Sequence, residues 1–305
     1  MLLGISLISF AIMQLAPGNP VSMMMDPKIS AADKALLAHN LGLDAPWGIQ
    51  YLKWLGQLLR GNFGYSLISG QPVWDMISPR IGPTLLLSIS TLWTSMMIGI
   101  PMGLYSAYRK AHWQDNVITA VTVAILSIPS FWVGVMFILI FAQAAGLVPT
   151  SGYMDPFWLD ATWYDRALDI AWHMILPLAT MVIGSAAGLI RFVRYTTLAQ
   201  LTSPYVTAAR ARGFSERHIL FRHVLKNTLL PLVTLLGLEL PGLLGGAFII
   251  ESIFAWPGMG QLGVSAVFSR DYPIIMALLL ISSTLMLIGN QLADLAYRWV
   301  DPRVS

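Results

Sequence analysis

Five stretches of this sequence are long and apolar enough to cross a lipid bilayer: Pro83 to Tyr108, Val117 to Leu147, His173 to Thr197, Thr228 to Phe254 and Pro273 to Val300. A spanning helix needs about 20 mostly apolar residues to cover roughly 30 Å of hydrocarbon. Inside lipid only a helix or a closed barrel satisfies its own backbone. A sixth stretch, Met1 to Ala16, is apolar but short, rising only about 24 Å as a helix. It reads as a first helix whose start is missing from this sequence. The alternative, a signal peptide, lacks a basic n-region and a small-residue cleavage site.

Composition agrees. Only 11% of the 305 residues are charged and 56% are hydrophobic, against roughly 25% charged in soluble domains. With no cysteine, disulfides and thiolate metal sites are excluded. The expected fold class is an all-α membrane protein of about six transmembrane helices. A first helix covers 1–16, a polar insertion 17–82, a five-helix core 83–300 and a short tail 301–305.

Within the insertion, Ser30 to Leu41 reads as a short helix with Ser30 as N-cap and Gly42 as its stop. Trp47 to Leu59 reads as an amphipathic helix with Trp47, Tyr51, Trp54, Leu55 and Leu58 on one side. Such aromatics suit a membrane interface.

Basic residues in short loops set orientation. Outside the insertion, Arg109, Lys110, Arg191, Arg194, Arg210, Arg212, Arg217, Arg222, Lys226, Arg298 and Arg303 fall at one face, and Arg166 and Arg270 at the other. The first group is expected in the cytoplasm. The insertion, the loop Val148 to Trp172 with Asp155, Asp160, Asp165 and Asp169, and the loop Trp256 to Asp271 are then outside.

The most informative segment is LTSPYVTAARARGFSERHILFRHVLKNTLLP, Leu201 to Pro231. It is too polar for lipid and too long for a plain connector. Pro204 can open a helix over Tyr205 to Arg212, and Gly213 stops it in a left-handed conformation. Ser215 can cap a second helix, Glu216 to Lys226. The expected product is a helix–glycine–helix knob with a basic exposed side, kept thin by Ala208, Ala209 and Ala211, and shaped to enter a groove on a soluble partner. The bland alternative is a solvated basic loop, which leaves the placement of Gly213 unexplained.

This segment resembles the EAA loop of ABC importer permeases. Thr207, Ala208 and Ala209 precede Gly213 at that family's spacing, and His223 and Leu225 stand where it has Ile and Leu. Thr207 replaces the acidic residue, and Lys226 replaces the proline. The fuller pattern is similar to the B-type subunit of the dipeptide and oligopeptide branch. So are LLGISLISF with LAPGNP, SIPSFWVGV, GLVPTSGY, LLGGAFIIESIFAWPGMGQL, RDYP and VDPR; Asn19 stands where that branch usually has Asp. The likeness covers nearly the whole chain.

The resemblance implies a permease core, an extracytoplasmic insertion and a cytoplasmic coupling loop over 201–227. In it Tyr205, Thr207, Ala208, Ala209, Arg210, Arg212, Gly213, Phe214 and Arg217 contact an ATPase. It implies a C-type second permease, two ABC ATPase subunits that bind ATP and Mg, an extracytoplasmic substrate-binding protein, and a bacterial cytoplasmic membrane. This chain would bind no cofactor and no nucleic acid. Peptides are the implied cargo, moved by alternating access; nickel chelates, glutathione and oligosaccharides are handled by the same branch.

The substrate path is expected along Thr228 to Phe254, where Gly242, Gly245 and Gly246 lower the profile. Glu239, a costly carboxylate in lipid, can contact substrate there, pair with Lys226 or sit neutral. Glu251, toward the outer face, joins this set. Gly242 and Gly246 form a small-xxx-small pair, as do Gly99 with Gly103 and Gly184 with Gly188, which suits helix packing. Asp294 and Arg298 are at intrahelical ion-pair spacing. Pro101, Pro129 and Pro177 mark expected kinks.

No enzyme motif is present. There is no H-E-x-x-H, and His218 and His223 are five apart, so a regular helix does not align them for zinc. There is neither G-x-S-x-G nor a phosphate-binding G-x-x-x-x-G-K-[ST], so ATP hydrolysis belongs to another chain. An intramembrane enzyme would need Glu239 or Asp294 as its acid. A self-contained channel or carrier leaves the basic elbow without a use.

Overall fold

The computed structural model describes residues 2–15, 45–158, 161–229, 231–232 and 247–300, without the side chains of Met13 and residues 292–300. The described chain is helical, with one isolated bridge between Tyr65 and Pro72. Its elements are α1 (Leu2–Leu15), α2 (Trp47–Leu58), α3 (Val73–Tyr108), α4 (Trp113–Ser127), α5 (Ser130–Phe137), α6 (Trp163–Leu201), α7 (Pro204–Ala211), α8 (Glu216–His218), α9 (Phe248–Ile253), α10 (Met259–Ser269) and α11 (Tyr272–Val300). The expected helix over Ser30 to Leu41 lies outside the described residues, as does most of the expected span Thr228 to Phe254.

Among the described residues three helices, α3, α6 and α11, are long and apolar enough to cross a membrane, or four if α4 and α5 count as one broken span. The kink expected at Pro129 is a full break, so the stretch Val117 to Leu147 is not one continuous helix. Ile128 is extended (ψ 129°) ahead of Pro129, because proline's ring disfavours the α region for the residue before it. The helix axis turns by 94° there. A π-helical turn, Ile138–Ala144, then closes the second half.

α3 and α6 run to 36 and 39 residues, well beyond the hydrocarbon layer at about 1.5 Å per residue. α3 begins ten residues before Pro83 because Val73 and Ile77, one turn apart, are both 0% exposed. They pack with Met259, Leu262, Ala266, Ile274 and Leu278 of α10 and α11. The polar residues of that turn hid it from a hydropathy reading. At the start of α6, Thr162 Oγ1 accepts from the Asp165 amide and donates to its carboxylate at 2.6 Å.

α3 and α6 form the main interface. A Cβ on Gly99 would stand 2.8 Å from Leu189 Cγ, and one on Gly103 would stand 2.7 Å from Val193 Cβ and 2.8 Å from the Ile190 carbonyl. These glycines let the backbones close. At Gly184 and Gly188 a Cβ would meet no atom of the described residues beyond the helix's own turns within 4 Å, so that pair makes no comparable close contact. α1 lies along α11 and carries α2 through Phe10, whose ring meets Tyr51 at 5.5 Å and Trp54 at 6.0 Å.

Candidate functional site

The elbow after α6 has the expected form. Pro204 is the first residue of α7, and Ser203 precedes it in an extended conformation. Gly213 has φ +79°, a left-handed setting that L side chains resist. Ser215 is the N-cap of α8, its hydroxyl accepting from the His218 amide at 3.4 Å. α8 continues as a π-helical turn, Ile219–Val224.

One face of each leg is apolar. Val206 and Ala209 are buried against Ile219, Leu220 and Val224, and this cluster extends into α3 and α6 through Leu104, Leu189 and Val193. The elbow is thereby an extension of the membrane core, and Ala209 serves that packing rather than the outer profile. Tyr205 is half-buried and its hydroxyl donates to Gln200 Oε1 at 3.0 Å. Thr207, Ala208, Arg210, Arg212, Gly213, Phe214 and Arg217 are exposed on the opposite side. Arg210 grips Glu216 with both Nε and Nη2, at 2.7 and 3.1 Å. This hydrogen-bonded pairing raises the Arg210 pKa and lowers that of Glu216.

Phe214 stacks on His218 with centroids 4.9 Å apart, and His218 meets His223 at 5.7 Å. The two rings approach although a regular helix does not align residues five apart. In a π-helical turn the hydrogen bonds run i to i+5, which brings both rings to one face. Among the described residues no group of three or more His, Asp or Glu gathers for a metal ion.

Glu239, Gly242, Gly245 and Gly246 lie outside the described residues. Glu251 is 0% exposed. Its Oε1 accepts from Thr84 Oγ1 and its Oε2 from the Gln261 amide, each at 3.0 Å. Thr84 Oγ1 accepts in turn from the Met259 amide at 2.8 Å. The N-cap of α10 is Gly258, which has no side chain to offer, so Thr84 and Glu251 satisfy that helix's orphan amides from other elements. A Cβ on Gly258 would stand 2.3 Å from Glu251 Oε2. The Trp256 indole donates to the Pro83 carbonyl at 2.9 Å, and Arg80 Nη1 donates to Gln261 Oε1 at 3.0 Å. The segment Glu251 to Gln261 is thus clasped onto the start of α3.

Two further polar joints were not singled out from sequence. The buried Asp115 carboxylate takes Arg194 Nε and Nη2 at 2.6 and 2.8 Å and the Ser106 hydroxyl at 2.5 Å, tying α3, α4 and α6. The buried Asp271 accepts from the Ser66 hydroxyl, and from the Leu67 amide at 3.1 Å. An isolated aspartate within four residues of a helix start is the only local signal for either.

Known proteins are similar to this chain in sequence and in fold. A model of the binding-protein-dependent transport system inner membrane component matches residues 99–305, and a model of the N-terminal part of such components matches residues 1–88. The oligopeptide transport system permease protein AppB of Bacillus subtilis is 42% identical over 100% of this chain and 95% of its own. The dipeptide transport system permease protein DppB of Escherichia coli K12 is 34% identical over 99% of this chain and 94% of its own. A chain of the inward-facing MetNI methionine ABC transporter superposes with a TM-score of 0.58 at 18% identity, covering 74% of this chain and 96% of that one. That likeness shows the fold. These relatives are transport components rather than enzymes. The chain belongs to the family of binding-protein-dependent transport system inner membrane components.

Proposed function

We propose that this chain is a membrane-spanning permease subunit of an ATP-driven importer that carries peptides. The names of its relatives in Bacillus subtilis and Escherichia coli support the cargo. The elbow is the single observation that carries the mechanism. Its inner faces are continuous with the α3–α6 core, while Arg212, Gly213, Phe214 and Arg217 are exposed. A push on that surface by a separate ATPase moves α6 as a rigid body, which is how a small interface drives a large switch. The elbow and the tail face the cytoplasm, and the clasp at Glu251 faces outward. A homologous C-type permease, two ATPase subunits that hold ATP and Mg, and an extracytoplasmic binding protein complete the machine. Glu251 serves as a cap inside the fold, and Glu239 is left as the acid of the substrate path.

Uptake into vesicles containing the full complex, screened across di- and oligopeptides, nickel chelates, glutathione and oligosaccharides, tests the cargo. ATP-dependent accumulation of peptides alone is expected. Accumulation of another class without peptides would overturn the peptide reading.

A further inference from the structure

Between α4 and α6 lies a cavity of about 530 Å³ that nothing above uses. Asp115 at the start of α4 holds Arg194 in the last third of α6, and the lining can be ordered by distance along α4 from that joint. Near the start of α4 and the end of α6 it is polar and basic, with Thr119, Arg191, Arg194 and Tyr195. Farther from that joint it carries no charge, passing Thr122 and ending at Leu126, near the end of α4, and at Gly188 of α6. Eight residues separate Ile118 from Leu126, about 12 Å along a helix.

The charges at the mouth are unequal. Asp115 neutralises Arg194, while Arg191 is exposed with no ion pair among the described residues. At the far end a Cβ on Gly188 would meet no atom of the described residues beyond its own turns within 4 Å, so the space beside it is open. Arg191 ends the apolar run of α6, the depth at which lipid headgroups lie.

We propose that this cavity holds one anionic phospholipid. Its phosphate sits against Arg191 and Tyr195, and an acyl chain passes over Gly188. The ligand chemistry is a phosphodiester joined to a hydrocarbon chain, since a groove basic at one end and apolar at the other matches an amphiphile. The leaflet, the cytoplasmic one, rests on the orientation proposed above; the site itself does not.

The test uses the full complex in detergent, exposed to equal amounts of phosphatidylglycerol and phosphatidylcholine, with bound lipid read by native mass spectrometry. One retained lipid is expected, with phosphatidylglycerol favoured about fivefold, the worth of one basic residue at an anionic surface. Arg191→Gln removes that preference and Arg191→Lys keeps it. Gly188→Leu fills the open space and lowers retention of both lipids. Co-purification of the subunits reports assembly; should Gly188→Leu fail to assemble, the Arg191 pair decides alone. The proposal is overturned by equal retention in wild type and Arg191→Gln, or by displacement with inorganic phosphate. A photo-crosslinker at position 188 that joins another subunit overturns it too. None of these readouts depends on cargo or on coupling at Gly213.

Discussion

Arg210 and Glu216 face each other across Gly213, with Nε and Nη2 on the two carboxylate oxygens at 2.7 and 3.1 Å. The pair spans the turn and links the two legs of the elbow. Both side chains are nearly half exposed, at 45% and 49%, so solvent screens them and a double-mutant cycle should give about 0.2–1 kcal/mol. Arg210 holds the Glu216 carboxyl below its ordinary value. The stability this contributes is fully present above about pH 4.3 and is lost as the pH falls further. The raised pKa of Arg210 contributes throughout the range below its ordinary value, so neutral pH changes nothing. Glu216→Gln should flatten the acid limb of a stability–pH curve, with no effect at pH 7 beyond the loss of the pair.

Gly213 carries the turn itself. A Cβ there meets no atom within 4 Å, so only the backbone conformation resists substitution, by about 1–2 kcal/mol for an ordinary L residue. Gly213→Val should abolish ATP-coupled uptake while the membrane core persists. Gly213→Asn, which tolerates the left-handed region, should retain much of it. Uptake and ATPase rates measured together on both variants check this.

Glu251 and Thr84 act as one cap for α10. Removing either leaves buried donors without acceptors, at about 1–3 kcal/mol each. Glu251→Ala and Thr84→Val should each lower the thermal midpoint of the purified complex. The double variant should lose less than the sum, because both act on one network. Additive losses would show that the two residues work separately.

Gly103 and Gly184 make a controlled comparison. Gly103→Ala forces a methyl to within 2.7–2.9 Å of Val193 and Ile190, an overpacking that costs about 1–3 kcal/mol. Gly184→Ala enters open space and should stabilise α6 by up to about 1 kcal/mol. Thermal unfolding in detergent distinguishes them by sign.

The sequence made the elbow legible because each of its turns has a local chemical cause: Pro204 at a first turn, Gly213 in a left-handed stop, Ser215 as a cap. The long apolar helices were legible from hydropathy, and their tight contact from Gly99 and Gly103. What escaped was non-local. Pro129 marked a kink, but the size of the turn there, 94°, has no local signal. The start of α3 depends on Val73 and Ile77 meeting α10, residues distant in sequence. Asp115 with Arg194 and Glu251 with Thr84 lie 79 and 167 residues apart, so neither pairing has a spacing to read. The approach of His218 and His223 needs a π-helical turn, which side-chain periodicity assumes away.

The most direct measurement exploits the absence of cysteine. A single Phe214→Cys in the full complex gives one thiol on the exposed elbow. A membrane-impermeant thiol reagent should label it only from the cytoplasmic side, and a short bifunctional reagent should join it to a nucleotide-hydrolysing subunit. Labelling from the outer side, or a cross-link to no ATPase, would contradict the elbow's role as the handle that drives transport.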